Sequence, residues 1–363
     1  MPKWLFAILL LLILDSGHAA AQEVEWSIDA STVINNREGG NDDFTPDQTF
    51  MFTRLAPELG ISMLEGVHQL KAGVVWYQPM IDDLSGYKVL PTLYYRYNND
   101  NGWHLTAGLM PRSLMVQRSP RYLWSDSLNY VQPNLRGIMA QLIKQAGFVE
   151  AAVDWRQMQT LHQREAFTVM VNTDWQIAAP IRVGGHLQYS HLAKSISHAP
   201  GEYVNDDLLF NPMAGLDFSQ RTALDSLRVN AGAIITMQRN RGDERWRNQA
   251  GFIATATARW HWLQLDETFY AGQRLFPLYP LYGSMLNLGD PYFNNKVYSR
   301  TDLTAHVVNN RFVDLNLSVM LHATDKTSAF WQQLTCRFYI DNHLWKSRHD
   351  RKWLKSGHLS TLY

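Results

Sequence analysis

Residues 313–321 read VDLNLSVML, and the alternation in this stretch decides the fold. Val313, Leu315, Leu317, Val319 and Leu321 take the odd positions, with Asp314, Asn316, Ser318 and Met320 between them. A side chain that changes face at every residue belongs to a β-strand, because a helix brings positions i, i+3 and i+4 to one face. The same period recurs at 227–237, where Leu227, Val229, Ala231, Ala233, Ile235 and Met237 alternate with Arg228, Asn230, Gly232, Ile234 and Thr236. It recurs again at 167–177, with Phe167, Val169, Val171, Thr173, Trp175 and Ile177 on one face. Each run has about ten residues, longer than the usual strand of about 5–6 and matched to the ~9–11 that cross a bilayer at a tilt.

Outward from these runs, short turns at 65–67, 98–101, 144–146, 179–180, 221–225, 261–262 and 309–310 alternate with longer connections. The longer ones lie at 36–47, 82–86, 113–133, 159–164, 193–205, 239–248, 272–291 and 323–327. The pattern predicts an all-β fold, a transmembrane antiparallel β-barrel of about sixteen strands (about 14–18), with short periplasmic turns and longer extracellular loops. Closure follows from the edges. An open sheet of this width leaves two unpaired strand edges, and within lipid only a closed barrel satisfies every backbone group of a strand. Aromatics near the strand ends, among them Trp76, Tyr77, Tyr94, Tyr95, Trp155, Trp175, Trp260 and Trp262, suit the two interfacial girdles of such a barrel.

Composition narrows the function. The 363 residues carry 33 Lys+Arg against 33 Asp+Glu, which excludes a strongly basic nucleic-acid binder. The 13 Trp, 16 Tyr and 15 Phe exclude an acidic disordered chain. The single Cys336 excludes an internal disulfide and a Cys-rich metal site, and reads as a small lipid-facing apolar residue. Lys3, the apolar run Leu5–Leu14 and Ala19-Ala20-Ala21 predict a secretory signal peptide over residues 1–21. A helix of ten residues rises about 15 Å, roughly half the hydrocarbon core, so the run is too short for an anchor. Residues 22–341 then form the barrel, and the basic tail 342–363 is expected to be periplasmic and poorly ordered.

Three further segments stand out: RLAPELG at 54–60, PRSLMVQRSPRYLWSDSLNYVQPNLRG at 111–137 and YGSMLNLGDPYF at 282–293. With them the chain resembles the porin-like outer-membrane β-barrel proteins of Gram-negative bacteria, across everything after the signal segment. The resemblance implies the outer membrane of a Gram-negative bacterium as location and outer-membrane lipid as a partner, and it leaves homo-oligomerisation open. A sixteen-stranded barrel is wide enough for an aqueous channel. The face opposite the apolar one would line it with Arg96, Arg112, Arg136, Glu150, Asp154, Arg156, Asp174, Arg182, His186, Arg228, Arg259, Asp266, Arg300, Asp302 and Asp314. Loop three, 113–133, is unusually long. In the porins the chain resembles, the third loop often folds inward, so Arg118, Arg121, Tyr122, Trp124, Asp126 and Tyr130 are the expected constriction. In loop seven, Phe276, Tyr279 and Tyr282 beside Pro277 and Pro280 suit stacking on sugar rings or, as the favoured reading, packing between loops.

The expectation is therefore a porin-like channel for passive diffusion of small hydrophilic solutes, with no enzymatic activity, no cofactor and no metal. The acids of REGGNDDFTPD, at 37–47, lack the spacing of a calcium loop. No G-x-S-x-G, H-E-x-x-H or phosphate-binding loop is present. His186 and Ser190 share a strand face but stand about 13 Å apart along it, beyond contact. For an acid–His pair at the outer rim, only His198 and His322 with Asp325 qualify. The alternatives are a non-conducting structural or surface-binding barrel and an outer-membrane barrel hydrolase, which needs its catalytic groups within hydrogen-bond reach at the rim.

Overall fold

The alternation is realised as sixteen strands: β1 (Glu23–Glu38), β2 (Gln48–Met63), β3 (His68–Pro79), β4 (Lys88–Asn98), β5 (Trp103–Pro111), β6 (Asn134–Lys144), β7 (Gly147–Gln157), β8 (Ala166–Ala178), β9 (Ile181–Leu192), β10 (Asn205–Asp217), β11 (Ser226–Asn240), β12 (Trp246–Trp260), β13 (Leu263–Gly272), β14 (Val297–Asn309), β15 (Val313–Thr324) and β16 (Ser328–Asp341). The computed structural model describes residues 22–39, 47–81, 85–243 and 245–346. The expected signal peptide, residues 40–46 of the opening loop and the tail from residue 347 lie outside the described residues. The tail begins with a short helix, Asn342–Lys346, that buries Leu344.

Each strand pairs antiparallel with its sequence neighbours, and β1 closes on β16 with Ser27 opposite Asp341 and Glu38 opposite Phe330. The sheet thus has no free edge, as expected. Exposed apolar side chains such as Leu93, Leu105, Ile138, Leu187, Phe210, Phe252, Leu303 and Leu317 follow one parity around the barrel. Such a continuous apolar band is stable against lipid and costly in water. A few charged residues stand on the outward parity. Arg136 has the parity of Ile138 and stands opposite Leu109, yet its charge lies within reach of the lumen residues Arg112 and Arg156. Glu267 points outward, where the hydroxyls of Ser299 and Thr301 donate to its carboxylate at 2.7 and 2.5 Å.

Two long loops turn into the barrel. Loop three carries a short helix, Asp126–Val131, capped by Ser125, whose side chain accepts from the Leu128 N–H. Loop seven, 273–296, crosses it: the Ser125 N–H donates to Leu288 O at 2.8 Å, and the Asp290 N–H to Arg121 O at 2.7 Å. Together they form an apolar core inside the barrel. Tyr122 and Leu123 of loop three and Leu275, Phe276, Tyr292 and Phe293 of loop seven pack on Leu209, Ile234, Ile253, Tyr270, Tyr298 and Trp331 of the wall. Tyr130 packs on Val33, Phe52 and Tyr77 across the lumen, and Trp124 and Leu128 pack on Leu288. Full burial of one such side chain contributes about 1.5–3 kcal/mol, so the loops are held as firmly as a domain core.

Candidate active site at the outer rim

The expected lumen charges are mostly partnered within the barrel. Asp126 bridges Arg118, Arg121 (3.3 Å) and Arg300 (2.8 Å), while Asp302 joins Arg121 and Arg300, both at 2.7 Å. Burial alone would raise the Asp126 carboxyl; the guanidinium groups of Arg121, Arg300 and Arg118 reverse that and hold it well below the usual carboxylate range. Arg112 pairs with Asp154 and lies over Trp124, its guanidinium 3.6 Å from the ring centre. Asp174 bridges Arg182 and Arg228. Arg156 donates to Thr168 Oγ1 and to Met285 O of loop seven. Glu150 accepts from Gln141, Asn172 and the Val116 N–H, and His186 meets Asn172 at 2.9 Å. Asp266 accepts from Thr257 and Gln264, and Arg259 donates to His261 O. Arg96 and Asp314 also stand on the inward parity.

Tyr122 donates to Asn211 and Tyr130 to Gln333, so the six residues of the expected constriction are tied to loop and wall rather than arrayed around an opening. The loop-seven aromatics pack likewise: Phe276 is buried, and the Tyr282 hydroxyl accepts from Asn240. His322 is not at a rim surface. It is buried against Tyr292 and Trp331, while Asp325 is exposed in the turn before β16. His198 lies in the connection between β9 and β10, and its side chain makes no hydrogen bond among the described residues.

The acid–His pair lies elsewhere. In β9, Gln188 and Ser190 are buried inward, so the alternation turns Leu187, Tyr189 and His191 outward. In β10, Asp207 faces in, where Gln238 and Asn287 donate to it, and Asp206 faces out with the exposed Phe210. Both His191 and Asp206 are one residue from the extracellular end of their strands. The register pairs them directly and continues into a row across the barrel's outside: Trp155 opposite Phe167, Phe167 opposite His191, His191 opposite Asp206, Asp206 opposite Arg239, and Arg239 opposite Trp246. Directly opposite cross-strand side chains have Cβ atoms about 4.5–5.5 Å apart. The girdle is thus aromatic on both flanks and carries a His–Asp–Arg group in its centre.

The geometry around Asp206 is tight. It accepts from His191 Nδ1 at 2.9 Å, from the Tyr189 hydroxyl at 2.7 Å and from Arg241 Nε and Nη2 at 2.8 and 3.0 Å. Those hydrogen bonds hold the Arg241 guanidinium, in the turn after β11, above its ordinary value. An ionised carboxylate only accepts, so the proton of His191 sits on Nδ1 and the Nε2 lone pair is free. Nε2 has no partner among the described residues, and the ring rests on Phe167 with centroids 4.9 Å apart. Arg239 lies over Trp246 at 5.6 Å, and its buried Nε has no acceptor. The loop above is ordered by Arg164, which donates to Ala193 O, Leu192 O and Tyr203 O, and by Glu202, which accepts from the Ser195 hydroxyl and N–H. A fixed base with an aligned carboxylate and an unused guanidinium beside it suit proton transfer next to a group that carries or develops negative charge.

In fold the chain is similar to OccAB2 of Acinetobacter baumannii, at 9% identity over 88% of this chain and 98% of that one, with a TM-score of 0.54. It is likewise similar to the anion-selective porin from Comamonas acidovorans, at 10% identity over 88% of this chain and all of that one, with a TM-score of 0.53. At such identity these likenesses show the porin-like barrel and nothing of its activity. No curated protein sequence is significantly similar to the chain. The model of the lipid A 3'-O-deacylase-type family matches residues 16–347. The chain belongs to that family, and it is an outer-membrane β-barrel. Membership implies a hydrolase with lipid A as substrate, which overturns the expectation of a porin-like channel for small polar solutes and the expectation of no enzymatic activity. The physical reason for the error is plain. Strand parity and loop length describe any outer-membrane barrel, and inward charges read equally well as pore lining or as an internal salt-bridge network.

Proposed function

We propose that this member of the lipid A 3'-O-deacylase-type family hydrolyses an acyl ester of lipid A at the outward His191–Asp206 pair. The observation that carries the reading is the position of that pair. It is on the outward face of the strands, one residue below their extracellular ends, which in this reading is the level where headgroup meets acyl chain. The substrate then reacts without leaving the membrane, its chains lying along the apolar band and its sugar level with the rim.

In the proposed step His191 Nε2 removes a proton from a water molecule, and the water oxygen adds to the ester carbonyl carbon. Asp206 keeps the imidazole aligned and stabilises its charged form. Arg239 faces the oxyanion that forms. Collapse breaks the carbonyl–oxygen bond to the sugar, and the proton held by His191 passes to the departing sugar oxygen. The products are a sugar hydroxyl and a fatty acid, which loses its own proton to solvent. Alignment and general-base catalysis together supply about 10²–10⁴ of the rate.

The test is mass spectrometry of lipopolysaccharide incubated with the full-length protein in detergent micelles containing heavy-oxygen water. The expected result is lipid A lighter by one acyl chain, with one heavy oxygen in the released fatty acid. Lipid A of unchanged mass, or an acyl chain moved to another acceptor without label, overturns the reading.

A further inference from the structure

The extracellular mouth holds a second recess that shares no residue with the rim site. It is a cavity of about 530 Å³ between loop seven, the end of β13, the start of β12 and the β15–β16 turn. That volume falls within the ~300–1,000 Å³ of small-molecule sites. Arg274, Lys296 and Lys326 line it, and no carboxylate does. All three are exposed and none forms an ion pair among the described residues, whereas Arg112, Arg118, Arg121 and Arg241 each have a carboxylate partner.

Two lining amides add donors. Gln273 Oε1 accepts from the Ala250 N–H and Asn294 Oδ1 from the Phe276 N–H, both at 2.9 Å. With their oxygens committed to the loop backbone, both NH₂ groups remain as donors, and neither has an acceptor among the described residues. Pro277 and Pro280 supply an apolar wall. The recess is rich in donors and positive charge, poor in acceptors, and flat on one side.

We infer that this recess binds an anionic sugar, a hexose bearing a phosphate. The cations neutralise the phosphate, the oriented amides donate to oxygens, and the apolar wall takes a ring face. The same chemistry occurs in the saccharide of lipopolysaccharide beside the barrel and in a soluble sugar phosphate outside the cell.

The experiment is calorimetric titration of the full-length protein in detergent with glucose 1-phosphate, glucose and inorganic phosphate. Glucose 1-phosphate is expected to bind, with the other two at least about tenfold weaker, and the triple variant Arg274→Gln, Lys296→Gln, Lys326→Gln is expected to lose about tenfold or more. Heat-modifiable gel migration verifies the barrel. If the triple variant does not fold, Lys326→Gln alone is expected to weaken binding about threefold. No binding, inorganic phosphate as tight as the sugar phosphate, or unchanged affinity in the charge variants overturns the inference. His191→Ala is expected to bind unchanged, which separates this site from the rim; loss of binding in that variant overturns the separation. Displacement of glucose 1-phosphate by detergent-dispersed lipopolysaccharide supports the site with the membrane saccharide as its source. Persistence of the bound sugar supports it with a soluble source.

Discussion

His191 is the residue on which the proposed chemistry turns, and Asp206 decides which of its nitrogens is free. Asp206→Asn keeps the shape but offers Nδ1 a donor as readily as an acceptor, so the productive tautomer loses its support. The expected outcome is a fall in kcat of about tenfold or more with KM little changed. Arg239 carries no such alignment role. Arg239→Gln is expected to raise KM severalfold and to flatten the salt dependence of the reaction, read from steady-state rates at two ionic strengths. None of these roles was legible in the sequence. The two partners are fifteen positions apart in sequence, on different strands, and become neighbours only through the β9–β10 register. One signal was available: each is a polar residue on the lipid-facing parity of an otherwise apolar strand, which is costly unless the residue lies at the rim. Parity counted inward from the loop ends would have found them.

Loops three and seven show what elements add to parity. Their inward fold was half legible: the length and aromatic content of loop three marked it as a lumen element, and the prolines of loop seven marked it as packed. That the two cross and build a core was not legible, because it depends on contacts among residues more than a hundred positions apart. Asp126 is the charge that fastens this core. Removing one partner of a buried ionic group costs about 3–5 kcal/mol, since the other charges lose their compensation. Asp126→Asn is therefore expected to open loop three to trypsin at Arg118 and Arg121, where the wild-type protein resists. The pH dependence has a definite sign. The folded carboxyl titrates below its unfolded value of 3.8, so its contribution is complete above about pH 4 and is lost only as pH falls through the lower folded value. Resistance to an acid-active protease is expected to hold at pH 5 and to fail in stronger acid, and the variant is expected to lack that transition.

The whole molecule combines a membrane-spanning wall with an interior packed by its own loops. Closure, strand number and the apolar belt were legible because a period of two is imposed by backbone geometry, whatever the barrel does. Activity was not, because hydrolases and channels share that wall. A packed lumen predicts little ion flow: in a planar bilayer the wild-type protein is expected to give no large ohmic steps, and deletion of residues 113–133 is expected to produce them. Steps of equal size from both proteins would show that loop three does not fill the lumen.

The central claim is that catalysis belongs to the outward rim and not to the interior. It is tested most directly by the rate of lipid A deacylation, followed by mass spectrometry, for wild-type protein and His191→Gln, both verified as folded barrels. The account predicts loss of one acyl chain from lipid A with the wild-type protein and a rate lower by about 10²-fold or more with the variant. Equal rates would contradict it and return the search for the catalytic base to the groups beneath the loops.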